Sequence, residues 1–591
     1  MSRRIFIALM ALAVLNGCVY DKYAPDHCPQ EGKAYFISFV LSPGGDSETK
    51  AQVGQLEVAA LSEQLVSSVD LYFYTGGGTF QGKEHVTEFR QKPSGSSGDN
   101  VANVVYDFVV GLNFRPYRLL LVINNPTLDL SNLSLQDART KLLEGSAYAG
   151  SSTSVTYRDA SDAEQTLSVT PMFMGSSAYL NAAGVAICDN LIPGEYVWDN
   201  KPDALARPMH VYVERMAAKV TLKTAKKTFE VPVVTSQDNV TAKVDIEGWF
   251  LNGVNKDSYV FKQISESWHW STWDWTNPTR YRSHWARDNS YGGSENQPVP
   301  HAQNTSSSVP AGEKLRFYHA DHTTQPLLWS ATENKYVGSD YCLENTADEN
   351  ALPVADNNSA SLFSRITHVI VMARLRFALR DGAAPGDDPA GYTADYTADS
   401  PDIFRYKGVF YTKKSLLAAL RQDAGLAIDD DTDLEIVSAA GQSWCPKYEN
   451  GERVAVKRKS TEEILSLTEG GVPVHIDGFT QGRFYYKIPV EHFNNGPVSS
   501  AYYPAGRYGV VRNHQYEITL NELTGIGTGI WDIDWDIRPY RKPDDYIVSA
   551  YMKVSPWKQL ETRFLFVDPS GMLITDGQRV HDWNDNWTQW Q

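Results

Sequence analysis

A period of two constrains this chain more than any other feature. Apolar and polar residues alternate through short segments: Tyr35 to Leu41, Val69 to Tyr74, Tyr117 to Ile123, Val211 to Val213, Lys219 to Leu222, His368 to Phe377, Phe484 to Val490 and His514 to Leu520. A strand turns successive side chains to opposite faces, so each segment presents one apolar row to a core. Aromatics make up 12% of the chain, and 42 Gly and 29 Pro punctuate it, as strands bounded by turns require. The expectation is a mainly β protein built from sandwiches, with long loops and a few short helices. Helical spacing is confined to Leu135 to Leu143 and to Lys413 to Arg421, where Leu416, Leu417 and Leu420 form one stripe that would cover a sheet. Polar loops are expected at 91–100, 288–311 and 381–402, and a change of domain near 224–232.

The first residues have the layout of an export signal. Arg3 and Arg4 precede the apolar run Ile5 to Leu15, and Gly17 stands before Cys18. The run is too short to span a bilayer stably. A small residue before a cysteine resembles a bacterial lipobox, in which Cys18 is acylated and becomes the new N-terminus; the competing reading is a plain signal peptide with an incidental cysteine. The net charge of −17 argues against nucleic acid as a partner, because phosphate binding needs a basic surface. Besides Cys18, the remaining cysteines, Cys28, Cys188, Cys342 and Cys445, have neither zinc spacing nor a disulfide framework, and the last three suit buried thiols.

Five segments carry a resemblance to a known family. They are Glu214-Arg215-Met216-Ala217-Ala218-Lys219-Val220, Gly248-Trp249-Phe250-Leu251-Asn252 with Lys256, Tyr341-Cys342-Leu343-Glu344-Asn345-Thr346, the run Tyr508 to Tyr516, and Tyr551 to Trp557. In order and spacing the chain resembles the fimbrillins of Bacteroidales type V pili, in particular the major subunit of the short fimbria. Each segment also has a physical reading: Arg512-Asn513-His514 is a turn that sets register, Trp249 a core aromatic at a strand bend, and Glu344-Asn345-Thr346 a capped strand end.

The resemblance implies two transthyretin-like Greek-key β-sandwiches and a processing route. A signal peptide with lipobox would occupy 1–18, a propeptide with the first strand 19–50, the two sandwiches 51–228 and 229–543, and a C-terminal donor-strand and hairpin segment 544–591. A surface protease would cut in the loop after the first strand, where Lys50 is the only basic residue of 42–50 and Lys50-Ala51 the candidate bond. The displaced strand would carry Tyr35, Ile37, Phe39 and Leu41 on one face. The donor strand would carry Tyr546, Val548, Ala550, Met552 and Val554. Head-to-tail strand addition yields an open filament. The implied partners are other fimbrial subunits, minor tip and anchor subunits among them, the outer membrane through the lipid, and a host or bacterial surface ligand. The chain would pass from outer-membrane lipoprotein precursor to cell-surface fimbrium, and serve adhesion and biofilm formation. A tip or anchor subunit is the alternative within the family, since a further hairpin, Arg563 to Ile574, follows Trp557.

Other constellations are weaker. Trp268, Trp270, Trp273, Trp275 and Trp285 could form a contact patch, which makes a surface glycan-binding lipoprotein the alternative of another class; an insertion pinned by aromatic packing is the plainer reading. His269, His284 and Asp274 follow no metal-ligand spacing. Asp429, Asp431, Asp433 and Glu435 lack the glycine and distal glutamate of an EF-hand, and Asp532, Asp534 and Asp536 suit a solvated strand face. Gly76-Gly77-Gly78-Thr79 lacks a phosphate-loop lysine, and no catalytic motif is present. No enzyme activity, metal or cofactor is expected.

Overall fold

The computed structural model describes residues 35–41, 63–93, 104–143, 148–158, 163–180, 186–211, 213–235, 239–264, 286–288, 315–316, 323–346, 352–353, 366–376, 402–423, 426, 428, 432–439, 442, 453–492, 502–503, 508–531, 548–556, 566–567 and 573–574. They form a mainly β structure of two sandwiches.

The first sandwich faces two sheets. One contains β1 (Tyr35–Leu41), β4 (Arg90–Pro93), β5 (Val104–Leu112) and β8 (Met209–His210), in the order β8-β1-β5-β4. The other contains β2 (Val69–Tyr74), β3 (Phe80–Val86), β6 (Arg118–Ile123), β7 (Met174–Ser176) and β9 (Val213–Arg215), in the order β9-β7-β6-β2-β3. The alternate residues Ile37, Phe39, Leu71, Phe73, Phe108, Val110, Leu119 and Leu121 meet between them. Strand β4 falls inside the expected loop 91–100: its Arg, Gln, Lys and Pro make it an edge strand, which a reading by apolar alternation overlooks.

The second sandwich is larger. Its five-stranded sheet runs β13 (Leu328–Ser330), β14 (Lys335–Leu343), β10 (Ala217–Thr224), β20 (His514–Leu523), β22 (Val548–Pro556). Its eight-stranded sheet runs β18 (Ile476–Phe479), β16 (Ile403–Tyr406), β17 (Val409–Tyr411), β11 (Thr228–Thr235), β12 (Asn239–Asn252), β15 (His368–Arg376), β19 (Arg483–Pro489), β21 (Thr528–Gly529). Rows at period two fill the space between, among them Val220 and Leu222, Val231 and Val233, Val369 and Val371, Phe484 and Tyr486, and Tyr516 and Ile518. The helix Lys413–Gln422, capped by Thr412, lays Leu416, Leu417 and Leu420 on Phe404 and Tyr406, a cover over the sheet as its stripe requires.

Two expectations are corrected. The sheets change over at Met216, since Val213–Arg215 pair with β7 and Ala217–Thr224 pair with β14 and β20, so the interval 224–232 comes too late. Met216 is itself buried, with its N–H donating to the Phe173 carbonyl at 3.0 Å, so the chain crosses without a polar linker to mark the place. The helix expected over Leu135 to Leu143 ends at Arg139, and Leu142–Leu143 pair with Ser258–Tyr259.

Trp249 fixes the core of the second sandwich. It is fully buried, next to a shift of register between Ile246 and Gly248. Its indole lies over Gly338 of β14, where an added Cβ would stand 2.3 Å from Nε1. The Gly338→Ala variant is therefore expected to lose about 1–3 kcal/mol, the usual cost of overpacking a filled core, measurable by urea denaturation.

Candidate functional site

The site begins with β1, whose sequence YFISFVL is apolar on both faces except at Ser38. A strand apolar on both faces needs cover on both. β1 pairs antiparallel with β5 along its whole length, from Tyr35 opposite Leu112 to Leu41 opposite Tyr106. On its other side Phe39 and Val40 pair in parallel with Met209 and His210, and Phe36 bridges Trp198 through bonds of 2.7 and 2.9 Å. It thus sits inside its sheet and not at the edge.

Its inner residues Ile37 and Phe39 are fully buried, with the Phe39 ring 5.5 Å from that of Phe108. The outer face is also covered. Phe36 packs with Val109 and Ala204 under the helix Lys201–Ala206, with Trp198 and Leu205 against the cluster, while the Ser38 hydroxyl donates to the Phe108 carbonyl at 3.1 Å. These outer contacts were missed from sequence, although the unbroken apolar character of the segment was their signal. Of the expected row, Tyr35 is half-buried, and the side chain of Leu41 lies outside the described ones.

Glu63 has anchors of its own. Its carboxylate pairs with Lys219 at 2.8 Å, its carbonyl accepts from Arg215 Nε at 2.9 Å, and the Leu65 carbonyl accepts from Asn124 Nδ2 at 2.9 Å. None of these anchors involves β1.

The expected donor segment lies on the opposite sandwich. Val548–Pro556 form β22, an edge strand antiparallel to β20, with Met552 opposite Ile518 and a shift between Leu520 and Glu522. Among the described residues the displaced and donor strands therefore lie in different sheets. Tyr546 lies outside the described residues, as do Cys18, Lys50, Ala51, Trp268, Trp270, Trp273, Trp275, Trp285 and the histidines between them. Asp433 is described, and its carboxylate accepts from the Ser460 N–H at 3.0 Å as a turn partner. Cys188 and Cys342 are buried free thiols.

Between the sandwiches lies a buried polar junction. The residues after β12 fold back, putting Val260 and Phe261 against Tyr72, Tyr74 and Leu120 of the first sandwich. Lys262 pairs with Glu214 at 2.9 Å, with neither side chain exposed beyond 2%. Arg512, at the turn where Asn513 has φ 58°, donates to the Val260 and Tyr259 carbonyls at 3.1 and 2.8 Å and to Ser258 Oγ at 3.0 Å. Its own backbone N–H donates to Glu344 at 3.2 Å. The turn and the capped strand end read from sequence thus meet here.

Histidines behind this junction set an acid limit. Burial, with Lys262 adding to it, pulls His514 down to about 3; burial together with His514 and Lys262 holds His492 well below its ordinary value, and burial and Lys487 do the same to His368. The unfolded chain takes up these protons below about pH 6.5, so stability is complete above that pH and falls towards pH 3, by about 1.4 kcal/mol per unit for each histidine. Glu344, pushed up by burial, works in the opposite sense and softens the loss. Thermal unfolding scanned from pH 7 to 4 is expected to show a falling midpoint, with a shallower slope in His514→Asn.

Residues 477–562, from β18 through β22, match the family model described as "Major fimbrial subunit protein type IV, Fimbrillin, C-terminal". Over those residues the chain is similar to the fimbrillins. Comparison with curated proteins found no match. Among solved structures, a cell adhesion protein of Parabacteroides distasonis is similar at 13% identity, with 90% of this chain and 99% of that chain covered and a TM-score of 0.33. A fimbrilin of Porphyromonas gingivalis is similar at 14% identity, 88% and 98% coverage and a TM-score of 0.31. A C-terminally truncated tip fimbrial protein of Porphyromonas gingivalis is similar at 11% identity, 88% and 100% coverage and a TM-score of 0.27.

Proposed function

We propose that this chain is a fimbrillin, a shaft subunit that polymerises by strand replacement, and that the fimbria it builds supports adhesion and biofilm formation. It is exported, acylated at Cys18 and carried to the outer membrane, then cut at Lys50-Ala51. The cut releases β1, and the C-terminal segment of the next subunit fills the vacated slot with Tyr546, Val548, Ala550, Met552 and Val554 facing the core.

The observation that carries this reading is the position of β1: an interior strand buried on both faces, paired with β5 and β8 and separated in sequence from the anchored Glu63 by residues 42–62. Glu63 and Leu65 are anchored without it, so a cut among those residues severs the covalent link to β1 and leaves the other anchors in place. The loss would uncover a row of unpaired N–H and C=O groups on β5 and an apolar trough beside Phe108. Among the described residues the donor has β20 as its one neighbour strand, whereas the slot offers β5 on one side and β8 on the other. Exchange thus replaces one neighbour strand by two, with β8 contributing the pairs at Phe39 and Val40.

Limited tryptic digestion of the purified precursor tests the proposal. A new N-terminus at Ala51, followed by SDS-resistant ladders that vanish on deletion of residues 544–591, is the expected result. Monomers that persist after the cut would overturn it.

A further inference from the structure

We infer that the slot admits the donor in a single frame, with Tyr546-Ile547-Val548-Ser549-Ala550-Tyr551-Met552 replacing Tyr35-Phe36-Ile37-Ser38-Phe39-Val40-Leu41 residue for residue, and that the outer face of the slot selects it. The inference rests on the strand-replacement reading above and adds to it the register and its determinant.

The inner face cannot choose the frame. Val548, Ala550, Met552 and Val554 are all apolar, so a slide of two residues keeps apolar side chains in the core. A slide of one residue would turn Ser549 and Lys553 inward. The outer face is more demanding. At Phe36 it presents a covered apolar site formed by Val109, Ala204, Trp198 and Leu205. At Ser38, 1% exposed, there is room for a small side chain and an acceptor in the Phe108 carbonyl.

With Ser549 in the place of Ser38, Ile547 enters the Phe36 site and the serine hydroxyl keeps its acceptor. Two residues further on, Ser549 would face the apolar site, and Tyr551 would be forced into the space of a serine. Two residues back, Asp545 would enter the apolar site. Over the whole tail from 544 to 591, no other seven-residue frame combines apolar residues at the Phe36, Ile37 and Phe39 positions with a small one at Ser38. One mismatch remains: Ala550 replaces Phe39 and leaves a hollow next to the Phe108 ring.

Disulfide trapping during polymerisation of the full chain after limited trypsin reads the frame directly. Ser38 lies opposite Val109, so Ser549→Cys on one subunit should link to Val109→Cys on the next at least about tenfold more than to Asp107→Cys or Gly111→Cys, the partners in frames shifted by two. Preferential linkage to position 107 or 111 within intact SDS-resistant ladders would overturn the frame and leave strand replacement standing. Absence of ladders from the unsubstituted chain would overturn strand replacement, and the frame with it.

The Ala550→Phe variant gives a second reading that needs no cysteine near the helix. In the inferred frame the new ring fills the hollow at Phe108, and the ladders should resist a higher SDS temperature than wild type. In the frame two residues further on, position 550 takes the place of Ile37, where a larger ring overpacks the core, and the ladders should melt earlier.

Discussion

A chain shortened to begin at Ala51 is expected to lose most of the stability of its first sandwich while the second stays folded. The missing strand takes with it Phe36, Ile37 and Phe39, buried side chains whose removal from the core costs roughly 1.5–3 kcal/mol each. Their sum, about 5–9 kcal/mol, is of the order of the whole stability of a domain, typically about 5–15 kcal/mol. The effect should be local, because Val220, Tyr516 and the rest of the second core make no use of β1. Hydrogen exchange should show amide protection collapsing on β5 and holding on β12 and β15. A synthetic peptide of residues 544–556 should restore protection on β5. Protection on β5 unchanged by the deletion would mean that β1 is dispensable, and a cut after it could not drive assembly.

The second large effect is expected at Arg512. Its guanidinium is 1% exposed and spans three groups of the returning segment Ser258 to Val260, while Glu344 stands beside it. Arg512→Ala leaves a buried carboxylate without its cation and three acceptors without their donor, a change of about 3–5 kcal/mol for removal of one partner of a buried pair. The residues it holds join the two sandwiches, so differential scanning calorimetry should show one transition splitting into two, with the lower one moved down by several degrees. Glu344→Gln added to Arg512→Met should recover part of the loss, because no unpaired charge then remains. An unchanged single transition in Arg512→Ala would show that the junction does not depend on this pair.

What could be read from the chain follows from where its polar residues end up. Segments such as Phe484 to Val490 and His514 to Leu520 put one row into a core, and alternation reveals them because the opposite row is more polar. Arg90–Pro93 pairs as a strand without any apolar row, so its edge position became legible only from its neighbour β5. The changeover at Met216 was hidden for the opposite reason: the crossing is buried and apolar, whereas composition reports only exposed linkers. Glu214, Lys262, Arg512 and Glu344 look like solvent-facing residues in a sequence. Their burial is decided by residues 258–262 folding back between the sandwiches, a long-range event that no local period records. At the proposed site, the inner row of β1 was visible as Tyr35, Ile37, Phe39 and Leu41. The outer contact of Phe36 depends on a helix more than 160 residues further on, Lys201–Ala206, and that of Ser38 on the Phe108 carbonyl; the apolar character of the segment signals that its outer face is covered but not by what.

The central claim is directional: one subunit supplies an open slot and the next supplies a tail. It is tested most directly by mixing a chain cut at Lys50 and deleted from residue 544 onward, which can only accept, with the uncut full-length chain, which can only donate. Native mass spectrometry of the mixture should show a one-to-one complex and nothing longer, with neither chain associating alone. Absence of that complex, or self-association of the tail-less chain, would contradict the account.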